Sequence, residues 1–180
     1  AWARSAAQEA IAHLEAGLAI VEKMSDPAAR RMTELRLQSA LGVVYFAAVS
    51  YAAPQAEAAF QRALALCEHI DDLTAKVPVL YGMGAFQTMK GDARAGHQAF
   101  ERLRAESEAA GEPRLQLYAQ SVLAWSHYNL GEHDRGIAAA ERALRLYETG
   151  ALAGGPRLSA ADPRIISECF RAAALWALGH

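Results

Sequence analysis

Gly84-Ala85-Phe86-Gln87-Thr88-Met89-Lys90-Gly91-Asp92-Ala93-Arg94-Ala95-Gly96-His97-Gln98-Ala99-Phe100-Glu101-Arg102-Leu103 is the stretch that decides the fold. Its small and aromatic residues stand at fixed offsets: seven residues from Gly84 to Gly91, five to Gly96, four to Phe100 and three to Leu103. Forty residues on, the same offsets return as Ala124, Gly131, Gly136, Ala140 and Ala143. An earlier copy carries Gly42, Ala56, Phe60 and Ala63, with two residues added around Tyr51-Ala52-Ala53-Pro54. A repeat of this length is one supersecondary unit that cannot bury its apolar face alone, so neighbours must stack. The pattern predicts an array built for recognition rather than an enzyme core.

Outward from that stretch, every segment reads as helix. Ile11, Leu14, Leu18 and Val21 share one helical stripe in a first helix over Ala6 to Met24. Asp26-Pro27 starts the second, because aspartate caps exposed N–H groups and proline lacks only a donor that would be unpaired there. It runs to about Tyr51, and a third helix starts near Pro54. A fourth covers about Leu73 to Lys90, with Pro78 inside it marking either a kink or a later start. Gly91-Asp92, Gly111-Glu112-Pro113 and Gly131 separate the helices that follow. Gly150 to Ala161, containing Gly154-Gly155-Pro156, is the one long irregular stretch before Asp162-Pro163 opens a last helix to Leu178. No period-two alternation bounded by turn residues argues for a sheet.

These offsets resemble the tetratricopeptide pattern, in which a small residue lets two helices cross closely and a glycine makes the turn. The resemblance implies an all-α, right-handed superhelical array of antiparallel helix pairs over residues 1–180 as a single domain. Its repeats of about 40 residues are longer than the usual ~34, the excess falling after Leu103 and Ala143; HEAT or armadillo repeats, at about 40–47 residues, are the runner-up. The first helix has second-helix character with no partner before it, and Leu178-Gly179 matches Leu130-Gly131, so a piece cut at both ends from a longer protein is expected.

Arg4-Ser5-Ala6-Ala7-Gln8-Glu9-Ala10-Ile11-Ala12-His13-Leu14, Leu37-Gln38-Ser39-Ala40-Leu41-Gly42, Tyr51-Ala52-Ala53-Pro54 and Ala174-Leu175-Trp176-Ala177-Leu178-Gly179 are similar to the C-terminal helical region of large bacterial signalling proteins. Such proteins join a class III adenylate or guanylate cyclase, or another output domain, to an ATPase module and a tetratricopeptide tail. The resemblance implies a regulatory segment of such a parent.

Composition narrows the classes. Lys+Arg 18 against Asp+Glu 20 gives a net charge of -2 without a basic run, which argues against a nucleic-acid partner. No stretch approaches the ~18 apolar residues of a membrane span, and Cys67 and Cys169, far apart in helical contexts, fit a reducing, cytoplasmic compartment. Gly82-Met83-Gly84 lacks the third glycine of a dinucleotide fingerprint and follows no strand, so helix packing explains it better. Cys67 and His69 point to different helix faces, His127 and His133 read as one packed and one solvated histidine, and Glu68, Asp71 and Asp72 read as a turn or cap. No catalytic residue, metal or cofactor is expected.

The candidate site is the groove. In tetratricopeptide arrays the first helix of each pair lines the concave surface, and the family's offsets give Arg36, Ser39, Val43 and Phe46; Pro78, Tyr81, Ala85 and Thr88; Tyr118, Ser121, Trp125 and Tyr128; and Ile166, Cys169, Ala173 and Trp176. Aromatic groups there supply contact area at low entropy cost, although Trp125 and Trp176 are read equally as packing between helices. The expected function is a noncatalytic segment binding a protein, a peptide or another domain of its parent chain, with a homodimer as an alternative occupant. A small-molecule sensor of an ATPase-coupled transcription regulator is the second reading, and an enzyme on a helical scaffold the third.

Overall fold

The computed structural model describes residues 2–50, 52–153, 158–159 and 161–180. Tyr51, at the expected end of the second helix, and Gly154-Gly155-Pro156, in the expected irregular stretch, lie outside the described residues. Among the described residues there are eight helices and no strand: α1 (Trp2–Val21), α2 (Pro27–Ala48), α3 (Pro54–Cys67), α4 (Leu73–Lys90), α5 (Ala93–Ala109), α6 (Pro113–Asn129), α7 (His133–Glu148) and α8 (Pro163–Ala177).

The starts follow the local chemistry. The Asp26 carboxylate accepts from the N–H groups of Ala28 at 2.8 Å and Ala29 at 3.4 Å, Asp92 accepts from Ala95, and Asp162 from Arg164. Asp72, from the acidic cluster, accepts from the Ala75 N–H at 3.3 Å and caps α4. Gly91 and Gly131 have φ of 107° and 75°, the left-handed conformation that a helix-ending turn needs and a side chain disfavours. α4 runs unbroken through Pro78. α1 stops short of Met24 because Lys23 and Met24 donate to the carbonyls three residues back, Ile20 and Val21, tightening the last turn.

The chain divides into two compact units, residues 1–90 and 91–180. In the first, α2 packs on α1, α3 and α4. Leu35, Ala63, Leu66, Cys67, Ile70 and Val79 form one buried cluster there. Beside them the fully buried ring of Phe60 on α3 lies against Gly42 of α2 and Gly82 of α4; a Cβ would come within 2.7 Å of that ring at Gly42 and 2.5 Å at Gly82. Phe86 closes this ring cluster, 6.0 Å from Phe60 and 6.2 Å from Phe46 between centroids. Gly82 thus belongs to helix packing. In the second unit α6 packs on α5, α7 and α8, and α7 on α8. Gly136 stands over the crossing residue Ala124, whose carbonyl oxygen would be 3.4 Å from a Cβ.

The two kinds of contact have opposite consequences. Gly82→Ala gains about 1 kcal/mol of helix propensity but overpacks a confined ring, which costs about 1–3 kcal/mol, so urea denaturation should show net destabilisation that Phe60→Leu in the same chain reduces. Gly17→Ala meets the Leu37 methyls Cδ1 at 3.2 Å and Cδ2 at 3.5 Å, the movable end of a side chain, and should be neutral or stabilising by up to about 1 kcal/mol.

Candidate functional site

α6 is buried almost all round, from Leu115 to His127, apart from Gln116 and the half-buried Trp125. A helix covered on every side must satisfy its polar side chains internally. Ser121 does so by donating to the Tyr118 carbonyl at 2.8 Å. Ser126 lies 3.0 Å from His97 Nδ1 of α5, and His127 donates through Nδ1 to Glu132 Oε2 at 2.8 Å. Gln120 differs: it is 5% exposed, and its Oε1 has no partner.

The polar and aromatic members of the sequence-derived groove positions separate by depth. In the first unit Arg36 is exposed, Phe46, Tyr81 and Thr88 are half-buried, and Ser39 is buried. The Thr88 hydroxyl donates to the Gly84 carbonyl at 2.8 Å. In the second, Trp125 and Tyr128 are half-buried and Trp176 is 78% exposed. Tyr118 and Ser121 do not reach the surface: Tyr118 is 1% exposed, with its hydroxyl accepting from the Leu158 N–H at 3.3 Å, and Ser121 is wholly buried. The offsets fix an angle around the helix, and α6 is covered at the angle these two occupy.

The half-buried aromatics form one patch on α6 and α8. Trp125 lies 6.1 Å from Phe170 with ring planes 27° apart, Tyr128 lies 5.7 Å from Phe170, and Phe100 backs Trp125 at 5.9 Å. Trp125 therefore packs between helices while keeping part of its ring open, whereas Trp176 projects from α8. Phe170 was not among the sequence-derived positions, because it falls between the offsets.

A second feature escaped the sequence altogether. His97 and His127 meet across α5 and α6 with ring centroids 4.9 Å apart. The sequence singled out His127 with His133, yet His133 lies against the Tyr128 ring at 5.5 Å. Burial lowers the His97 pKa below its ordinary 6.5, with His127 and Arg135 adding to the effect and Glu101 and Glu132 opposing it. The hydrogen bond from His127, helped by Arg135, holds the Glu132 carboxyl below its ordinary 4.5.

The two histidines sit at one end of a cleft between α5 and α7 floored by α6, about 490 Å³ in volume. Gln120, Glu108 and Arg142 line both it and an adjoining space of about 310 Å³. Among the described residues no group of three His, Cys, Asp or Glu side chains is placed to hold a metal ion, and no helix is long and apolar enough to cross a membrane. No protein-family model matches this sequence, and neither does any curated protein.

Tyr118→Ala should cost about 3–5 kcal/mol in denaturant unfolding, the price of emptying a large buried site, whereas Trp176→Ala should stay within about 0.5 kcal/mol. For His97, a pKa depressed in the folded state means that the unfolded chain binds more protons below about pH 6.5. Its contribution is intact above that pH and is lost as pH falls toward the folded-state pKa. The melting temperature of the wild type should fall as pH drops through this window, and that of His97→Gln should fall less.

Proposed function

We propose that this chain is a noncatalytic recognition module, a tetratricopeptide-like superhelical array that binds a protein or peptide segment and serves as a cytoplasmic regulatory part of a larger bacterial signalling protein, such as a nucleotide cyclase. The observation that carries this reading is the aromatic patch of α6 and α8. Trp125 and Tyr128 present partly open rings that each meet Phe170, with Trp176 78% exposed on the same helix as Phe170. Rigid aromatic side chains bury large area with few torsions to freeze, and such residues dominate binding energy where they cluster. Repeat arrays use first-helix positions of this kind as their extended binding surface.

The alternative, a small-molecule sensor of an ATPase-coupled transcription regulator, draws on a different observation, the polar cleft between α5 and α7.

Peptides selected from a displayed random library on the wild-type chain test the first reading. They should carry apolar or aromatic anchors, and Trp176→Ala or Tyr128→Ala should weaken them tenfold or more without changing the unfolding midpoint in the case of Trp176. Sedimentation across a concentration series separates self-association, which the same substitutions would abolish. Peptides that bind wild type and both variants alike would overturn the reading.

A further inference from the structure

The repeat allows the cleft of the second unit to be compared with its counterpart in the first. Aligning Leu14 with Phe100, Gly42 with Ala124 and Phe60 with Ala140 places Glu22 on Glu108, Glu34 on Gln116, Gln38 on Gln120 and Arg62 on Arg142. The first-unit residues of these four pairs line one space of about 320 Å³ between α1, α2 and α3. Their second-unit equivalents line the spaces between α5, α6 and α7. Glutamate, glutamine and arginine are thus repeated in both units, and one residue of the four differs.

That difference decides the electrostatics. In the first unit Glu34 accepts from Arg62 Nε at 2.6 Å, so the guanidinium is neutralised from within the cleft. In the second unit the equivalent residue is uncharged, and the Gln116 amide donates instead to the Ser107 carbonyl at 3.3 Å. Glu108 does not replace it, because its carboxylate is taken by Arg104 at 2.6 Å, and Arg104 also holds Glu101. Among the described residues no carboxylate pairs with Arg142. Beside Arg142 the cleft contains Gln120, nineteen-twentieths buried, with an acceptor oxygen that nothing within the protein satisfies. An arginine fork without a carboxylate and a buried acceptor without a donor are two halves of one recognition site.

We infer that the cleft between α5 and α7 binds a carboxylate that carries an N–H or O–H donor close by, as in an amino or hydroxy acid or an acidic peptide side chain with its backbone amide. The ligand carboxylate takes at Arg142 the place that Glu34 takes at Arg62, and its donor satisfies Gln120 Oε1, which the buried amide turns toward the cleft to present. Leu123 and Ala139 supply the apolar contact. The site lies apart from the aromatic patch, so it does not rest on the recognition-module reading; it deepens the alternative reading, which draws on this same cleft.

The test follows the shift of the Arg142 Nε–Hε and Gln120 side-chain amide signals in nitrogen-15 NMR at constant ionic strength. The probes are free L-glutamate, the peptide acetyl-Ala-Glu-Ala-amide, and the same peptide with glutamine in place of glutamate. Saturable shifts are expected with at least one acid and not with the neutral peptide. The acid that binds distinguishes a free metabolite from a peptide side chain. Gln116→Glu should weaken binding at least tenfold by supplying Arg142 with an internal partner, and Arg142→Gln should do the same. Glu34→Gln should do the reverse, creating a second site at Arg62. Equal shifts with acid and neutral probes, no shift with either acid, or Gln116→Glu binding as tightly as wild type would each overturn the inference. Native thermal unfolding of each variant, compared without ligand, excludes misfolding as the cause of a loss.

Discussion

The close crossing of helices at small residues is the constraint on which the rest of the chain depends. On the second helix of a pair stands Phe60 or Ala140, and the small residue of the matching first helix is Gly42 or Ala124. In the first unit the trade is explicit, since the ring of Phe60 occupies the space that side chains at Gly42 and Gly82 would need. Interior packing leaves little room for both a ring and a Cβ at such a point. With Ala140 in place of the ring, the second unit tolerates Ala124. α6 is covered along most of its length, and of its aromatic side chains Tyr118 is buried while Trp125 and Tyr128 stay partly open.

Much of this was legible in the sequence because it rests on short-range chemistry. Asp26-Pro27, Gly91-Asp92 and Asp162-Pro163 announce helix starts through bonds between neighbours a few residues apart. Gly91 and Gly131 announce turns through a backbone conformation that other residues disfavour. Of the candidate surface, Trp176, Trp125 and Tyr128 were placed because helical periodicity fixes direction around an axis. Periodicity does not fix depth. Tyr118 and Ser121 share the direction of the surface positions and are nevertheless covered, a property of how the neighbouring helices lie and not of the helix that carries them.

The pairing of His97 with His127 was illegible for a related reason. The two are separated by thirty residues, and their meeting depends on the register of α5 against α6. Nothing in the offsets of either helix encodes that register, so the sequence directed attention to His133, which is nearer along the chain and lies against Tyr128 instead.

Gln120 poses the sharper energetic question. An unsatisfied buried acceptor costs about 1–3 kcal/mol, a considerable part of a total stability of about 5–15 kcal/mol. The repeat shows that this position is not condemned to be polar, because Leu80 occupies it four residues before Gly84, as Gln38 and Gln120 do before Gly42 and Ala124. Leu80 is buried, so an apolar side chain at this register is compatible with a packed helix. Arginine stands at the matching place of the second helix in all three copies, as Arg62, Arg102 and Arg142, and together with glutamine it lines clefts of the same construction in two of them. The change from Glu34 to Gln116 then converts a frame that satisfies its own arginine into one whose arginine and glutamine are both left to a molecule from outside.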